Sequence, residues 1–181
     1  MRILFIIFIM QFTTQAYSYD NAEYQKKIQD FYNKQPLCLG PTKWPVSVII
    51  GNDLWLNAKM ESFVESGLAF SHLKSGEKIW ELSRNGKHEF SKGLGFCYGK
   101  IKVKSIENIY TNNQGITIVE FKYLINNLPA WAKNKSIRFS NTDLDNIISG
   151  IDNVRYQAIF KWSNRSGLTL YSEPEQVDLL Y

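Results

Sequence analysis

The sequence predicts an α+β fold, and three observations carry that prediction. Apolar residues recur at helical spacing over residues 20–34 and 53–66, they alternate at strand spacing from residue 99 onward, and no long internal repeat links the two regimes. Helices followed by a hairpin and then by mainly antiparallel strands imply N-terminal helices packed with a C-terminal sheet.

Taken in order, the chain opens on a leader. Arg2 precedes an apolar run from Ile3 to Met10, and the small residues Ala16 and Ser18 follow two positions apart. This is the charge, core and cleavage site of a secretory signal peptide, and the core is too short to span a bilayer. Cleavage after Ser18 leaves residues 19–181, read as one mature domain with a helical lobe (19–95) and a sheet lobe (96–181). No second long apolar run follows, so no transmembrane segment is expected in the mature chain, and the expected location is periplasmic or secreted. A charged share of 21% beside an apolar share of 44% argues against disorder. The net charge of +4 is mild, so composition by itself demands no polyanionic partner.

Residues 20–34 place Tyr24, Ile28 and Phe31 on one face of a first helix, with Asp20 or Asn21 as its cap. Prolines and glycines then surround Cys38, and Val46–Ile50 reads as a buried strand or a first helical turn. Cys38 and Cys97 are the only cysteines. An even count in an exported chain favours a structural disulfide over a zinc site or a catalytic thiol.

A second helix starts at Asp53, carries Leu56, Met60, Phe63 and Val64 on one stripe, and stops at Gly67. Two short strands follow around a Ser75-Gly76 turn. With Gly67, Leu68 and Ala69 after the helix and Trp80, Leu82, Ser83 and Gly86 closing the hairpin, this stretch resembles the last helix and wing of a winged-helix module. The resemblance implies DNA reading by that helix. Asp53, Glu61 and Glu65 against Lys59 alone, and the export signal, argue against it, and no nucleic-acid partner is expected.

Beyond Cys97 three strands are expected, over "KIKVKSI", "ITIVEFKYLI" and "VRYQAIFKW", with a bulge near Lys104 and Ser105. The connection between the last two holds a short helix starting at Thr142 or Asp143. The Cys-Tyr-Gly at 97–99, the strand containing Tyr123 and the Trp131-Ala132 pair resemble a family of exported bacterial envelope proteins. That resemblance implies one continuous domain and no particular activity.

Alternation splits these strands into two faces. Val119, Phe121, Tyr123, Tyr156, Ala158, Phe160 and Trp162 face inward. Lys100, Lys102, Lys104, Lys122, Arg155 and Lys161 face outward, against Glu120 alone. Such a basic face suits an anionic envelope component or an acidic protein, and Trp131 is a candidate anchor beside it. Edge protection by lysine and burial of Trp131 are the structural alternatives. The sequence thus points to a non-enzymatic exported binding protein. A small hydrolase using His88 or His72 is the alternative, although no metal-spaced histidine pair and no G-x-S-x-G is present. No phosphate loop or dinucleotide fingerprint occurs, so no cofactor is expected.

Overall fold

The computed structural model describes residues 20–178; the leader read at 1–18 lies outside them. Helix α1 (Asn21–Tyr32) buries Tyr24, Ile28 and Tyr32, one residue further round than the Phe31 expected from spacing. It lies on a large antiparallel sheet rather than on the helices that follow it. That sheet holds β7 (Ile101–Thr111), β8 (Ile116–Ile125), β9 (Arg155–Ser163) and β10 (Gly167–Leu170) in the order β10-β9-β8-β7, with β11 (Glu175–Gln176) also on β9. The strict alternation of β8, with Thr117, Val119, Phe121, Tyr123 and Ile125 buried, gives the inward face that the sequence predicts. Trp162 departs from the expectation: at the end of β9 it has outrun the core and is exposed. The ladder slips between Val103 and Ser105, where the sequence places a bulge, and again between Ile106 and Asn108.

Upstream of this sheet, β1 (Leu37–Leu39) pairs with β6 (Gly95–Gly99), which also pairs with β5 (Phe90–Ser91). Cys38 and Cys97 stand opposite each other in that ladder and are joined, with Cα atoms 3.9 Å apart. Between them the chain folds into β2 (Val46–Ile49), α2 (Leu54–Glu65), β3 (Ala69–Lys74), β4 (Glu77–Leu82) and α3 (Arg84–Glu89). Of the segment expected as a buried strand or a first helical turn, Val46–Ile49 forms a strand that is half exposed rather than buried, and it pairs with β4 to give the order β2-β4-β3. Asp53 caps α2 by accepting from Leu56 N–H at 2.8 Å, and Gly67 ends it at φ 76°.

The closing residues of the hairpin meet in one knot. Ser83 donates its hydroxyl to the Gly67 carbonyl and accepts from Gly86 N–H, while its own N–H reaches the Leu68 carbonyl. Gly86 leaves room for that carbonyl where a side chain would not: an added Cβ would stand 1.8 Å from Leu68 O.

Two cores result. One gathers Met60, Phe63, Trp80, Phe96, Trp131 and Leu144, so residues from both sides of position 95 share it. The lobe boundary drawn from sequence thus falls inside a packed unit. It includes α4 (Lys135–Ser140) and α5 (Thr142–Ser149), of which only the second is legible in the sequence pattern. The second core lies between α1 and the large sheet.

Tyrosines thread the interior. Burial pushes the Tyr98 hydroxyl up to about 12, and pushes Tyr32, Tyr123 and Tyr156 upward as well. A group whose folded pKa is raised stabilises fully below its unfolded value and loses that contribution as pH climbs toward the folded one. Cooperative unfolding is therefore expected as pH rises from about 10, the unfolded tyrosine value, toward 12. Tyrosinate absorbance and far-UV dichroism should change together; free titration of these phenols below pH 10 with the fold intact would contradict their burial.

Candidate interaction surface

The expected basic face is a charge mosaic. Arg155 pairs with Glu120 at 3.0 Å and with Asp178 at 2.8 Å, and Lys104 pairs with Asp152 at 2.5 Å. Hydrogen bonding to Arg155 holds the Asp178 carboxyl below the usual carboxylate range. Lys100 lies between β6 and β7 rather than in a strand, and donates to the Asn33 carbonyl at 2.6 Å. Lys161 sits over the Tyr171 ring at 5.6 Å. Lys102 is exposed on β7, and Lys122 stands opposite Arg155 on the neighbouring strand. Glu120 is not the sole acid facing the six cations: Glu175 of β11 bonds Gln157 on this face, and Asp178 and Asp152 come from a tail and a turn. These segments carry no strand signal, so their acids were invisible to a face count.

Trp131 is buried rather than presented beside this face. It is 6% exposed, lies against Phe96 and Tyr98, and donates its indole N–H to Glu89 at 3.1 Å. It is a core residue and offers no anchor to a partner.

The two histidines stay apart. His88 is 84% exposed and meets Glu89 at 3.2 Å; His72 meets Glu81 at 3.9 Å. His72 and Ser71 are neighbours on β3, so their side chains leave opposite faces of the sheet. Ser71 hydrogen-bonds toward Glu61 of α2, while the His72 ring stacks on Phe70. That geometry brings no imidazole to a serine hydroxyl. Among the described residues no group of three His, Cys, Asp or Glu is placed to hold a metal.

What the sequence reading missed is apolar. Leu54 and Trp55 open α2 on its outer side, and Phe139 closes α4 beside them. Trp55 is 80% exposed and Phe139 90%, and both line one small cleft with Ala58 and Lys59. On another side of the same helix, the start of α2 and the β2-β4-β3 sheet border a groove of about 510 Å³ walled by Val48, Ile50, Leu54 and Leu73. Ile50 in its wall and the neighbouring Ile49 are each more than half exposed.

The helix pattern places these residues here. The stripe Leu56-Met60-Phe63 turns inward, which leaves positions 54, 55 and 58 on the opposite side, where polar residues would be ordinary. A polar seam separates this surface from the core. Glu61 accepts from the Trp80 indole at 2.7 Å and pairs with Lys78 at 2.9 Å. Burial raises the Glu61 pKa, but hydrogen bonds from Lys78, Trp80 and Ser71 and the charge of Lys78 outweigh it, so the carboxyl stays below its ordinary value. Ser136 ties α4 to α2 by donating to Glu65. The two helices therefore present Trp55 and Phe139 from a braced platform. A single exposed Trp is unremarkable, whereas two large aromatic rings exposed side by side in one cleft mark a contact surface. Reading which hydrophobic residues fall off the helical stripe would have found Trp55; Phe139 sits on a helix with no sequence signal.

No helix among the described residues is long and apolar enough to cross a membrane. Compared with protein families, with curated proteins and with solved structures, the chain matches none.

Proposed function

We propose that this chain is a non-enzymatic, exported binding protein of the bacterial periplasm or envelope that docks an acidic partner protein on the Trp55–Phe139 surface. The exposure of these two rings side by side is the observation that carries the reading. Aromatic side chains anchor interfaces because they bury large area at low entropic cost. The charges around them favour an acidic rim on the partner. Lys78 neutralises Glu61, while Glu65 keeps its charge as it accepts from Ser136, so Lys59 in the cleft and Lys135 at the head of α4 leave a single positive charge in excess beside the rings. The joined Cys38–Cys97 pair supports an oxidising compartment, in keeping with the leader.

The test is recovery of partners from an envelope extract by the purified chain at low and high salt. Truncating Trp55 and Phe139 to alanine together is expected to weaken association at least about tenfold, since each such anchor contributes on the order of 1–2 kcal/mol or more. Reversing Lys102, Lys122 and Lys161 is expected to leave it intact. The opposite pattern, loss on charge reversal and retention without the rings, would move the site to the large sheet and defeat this reading.

A further inference from the structure

Sheet edges expose unpaired backbone donors and acceptors, and folded proteins close or break them. The described residues do so at every edge but one. On β7 the side chain of Gln29 acts as a short strand, donating to the Ile101 carbonyl at 3.1 Å and accepting from Val103 N–H at 2.9 Å. The rest of that edge is broken by the two bulges and studded with Lys102 and Lys104. The edges formed by β1, β5, β10 and β11 run for two to four residues each. β2 is four residues long, begins directly after Pro45, and has its Ile49 carbonyl taken by Asn52 N–H. Against these, β3 pairs with β4 in unbroken register over six residues and carries neither proline nor bulge.

The phase of that ladder is fixed at both ends. Lys74 and Glu77 flank the two-residue turn at Ser75-Gly76, where both residues have positive φ, and Ser83 N–H reaches Leu68 O at 3.0 Å. The residues that spend their N–H and C=O on β4 are therefore Phe70, His72 and Lys74. Those of Ala69, Ser71 and Leu73 point away from the sheet. Large apolar side chains flank this free edge on both faces: Phe70 on one, and Leu73, 67% exposed, on the other.

We propose that two copies of this chain associate by antiparallel pairing of their β3 edges, about a two-fold axis through Ser71, so that two three-stranded sheets become one of six strands. Self-complementarity selects a second copy over an unrelated strand. With Ser71 opposite Ser71 of the second copy, the outward backbone groups at 71 pair directly across the axis, and those of Leu73 lie opposite Ala69, which is itself only 5% exposed. Phe70 meets the His72 ring of the second copy, as it already does within one chain at 6.3 Å. Lys74 falls opposite Leu68, so no like charges face each other across the new ladder. This contact uses neither Trp55 nor Phe139, although Leu73 also walls the groove at the start of α2, and it stands or falls without the two rings.

Sedimentation of the purified chain from micromolar to millimolar concentration tests it, with amide exchange read alongside. A reversible dimer is expected, with Ser71 and Leu73 amides slowing as concentration rises while those of Phe70 and His72 do not change. Ser71→Pro removes an N–H that the chain's own sheet does not use, together with the hydroxyl that bonds toward Glu61, so the melting temperature should fall only as far as it does in Ser71→Ala, while the dimer weakens at least about tenfold in the proline variant and holds in the alanine one. Leu73→Lys serves as the second variant if proline disturbs the strand, with the same expected weakening. A monomer at every concentration, or a dimer that neither Ser71→Pro nor Leu73→Lys weakens, overturns the proposal.

Discussion

Gly86→Ala is expected to be the most damaging single substitution outside the aromatic core. Its new methyl would stand 1.8 Å from the Leu68 carbonyl oxygen, so backbone rather than a flexible side chain must give way. That carbonyl also accepts from Ser83 N–H, and α3 cannot retreat without releasing the Ser83 bond to Gly67. Overpacking at one well-packed site costs about 1–3 kcal/mol, and a clash against fixed backbone lies at or beyond the top of that range. For a domain of this size, roughly 3 kcal/mol lowers the melting temperature by about 6–12 °C. Gly115→Ala is the control, because its φ of 74° makes alanine strained while nothing lies near the added methyl. It should cost about 1 kcal/mol from backbone strain alone. Equal melting temperatures for the two variants would show that the hairpin knot yields more easily than its geometry implies.

Reducing the Cys38–Cys97 bridge is expected to have a comparable effect by another route. The cysteines are 59 residues apart, and the chain-entropy relation assigns a loop of that length about 4 kcal/mol at room temperature. The native state keeps its cross-strand ladder after reduction, so the loss falls on the unfolded state, which regains freedom. Thermal unfolding with and without dithiothreitol, beside the Cys38→Ser/Cys97→Ser chain, measures it. The reduced protein and the double variant should melt together, roughly 8–16 °C below the oxidised one. An unchanged melting temperature would mean that β1 and β6 are held by their other contacts.

What the sequence carried well was periodicity. The stripe of α2, the alternation of β8 and of β9 as far as Phe160, the stop at Gly67 and the bulge after Val103 are all local patterns, and all appear in the structure. The cysteine pairing followed from there being only two. What failed was assignment by subtraction. The outward sheet residues were counted by alternation alone, whereas their partners Asp152, Asp178 and Glu175 arrive from segments without a pattern of their own. Trp131 could be core or anchor from its neighbours in sequence, and only the approach of Phe96 and Glu89 decides it. The exposed rings were missed for the converse reason: an apolar residue off the stripe gives no periodic signal, so Trp55 and Phe139 are visible only once α2 and α4 lie side by side.

The bridge between β1 and β6 has a consequence of another kind. It makes residues 38–97 a covalent ring that contains all of β2, α2, β3, β4 and α3. A protease that cuts the exposed hairpin tip at Ser75-Gly76 would break the peptide chain without releasing either fragment. The nicked molecule would run as one piece on a gel until its thiols were reduced. Since the chain has no third cysteine, the ring can close in only one way, and its formation calls for an oxidant but never for reshuffling.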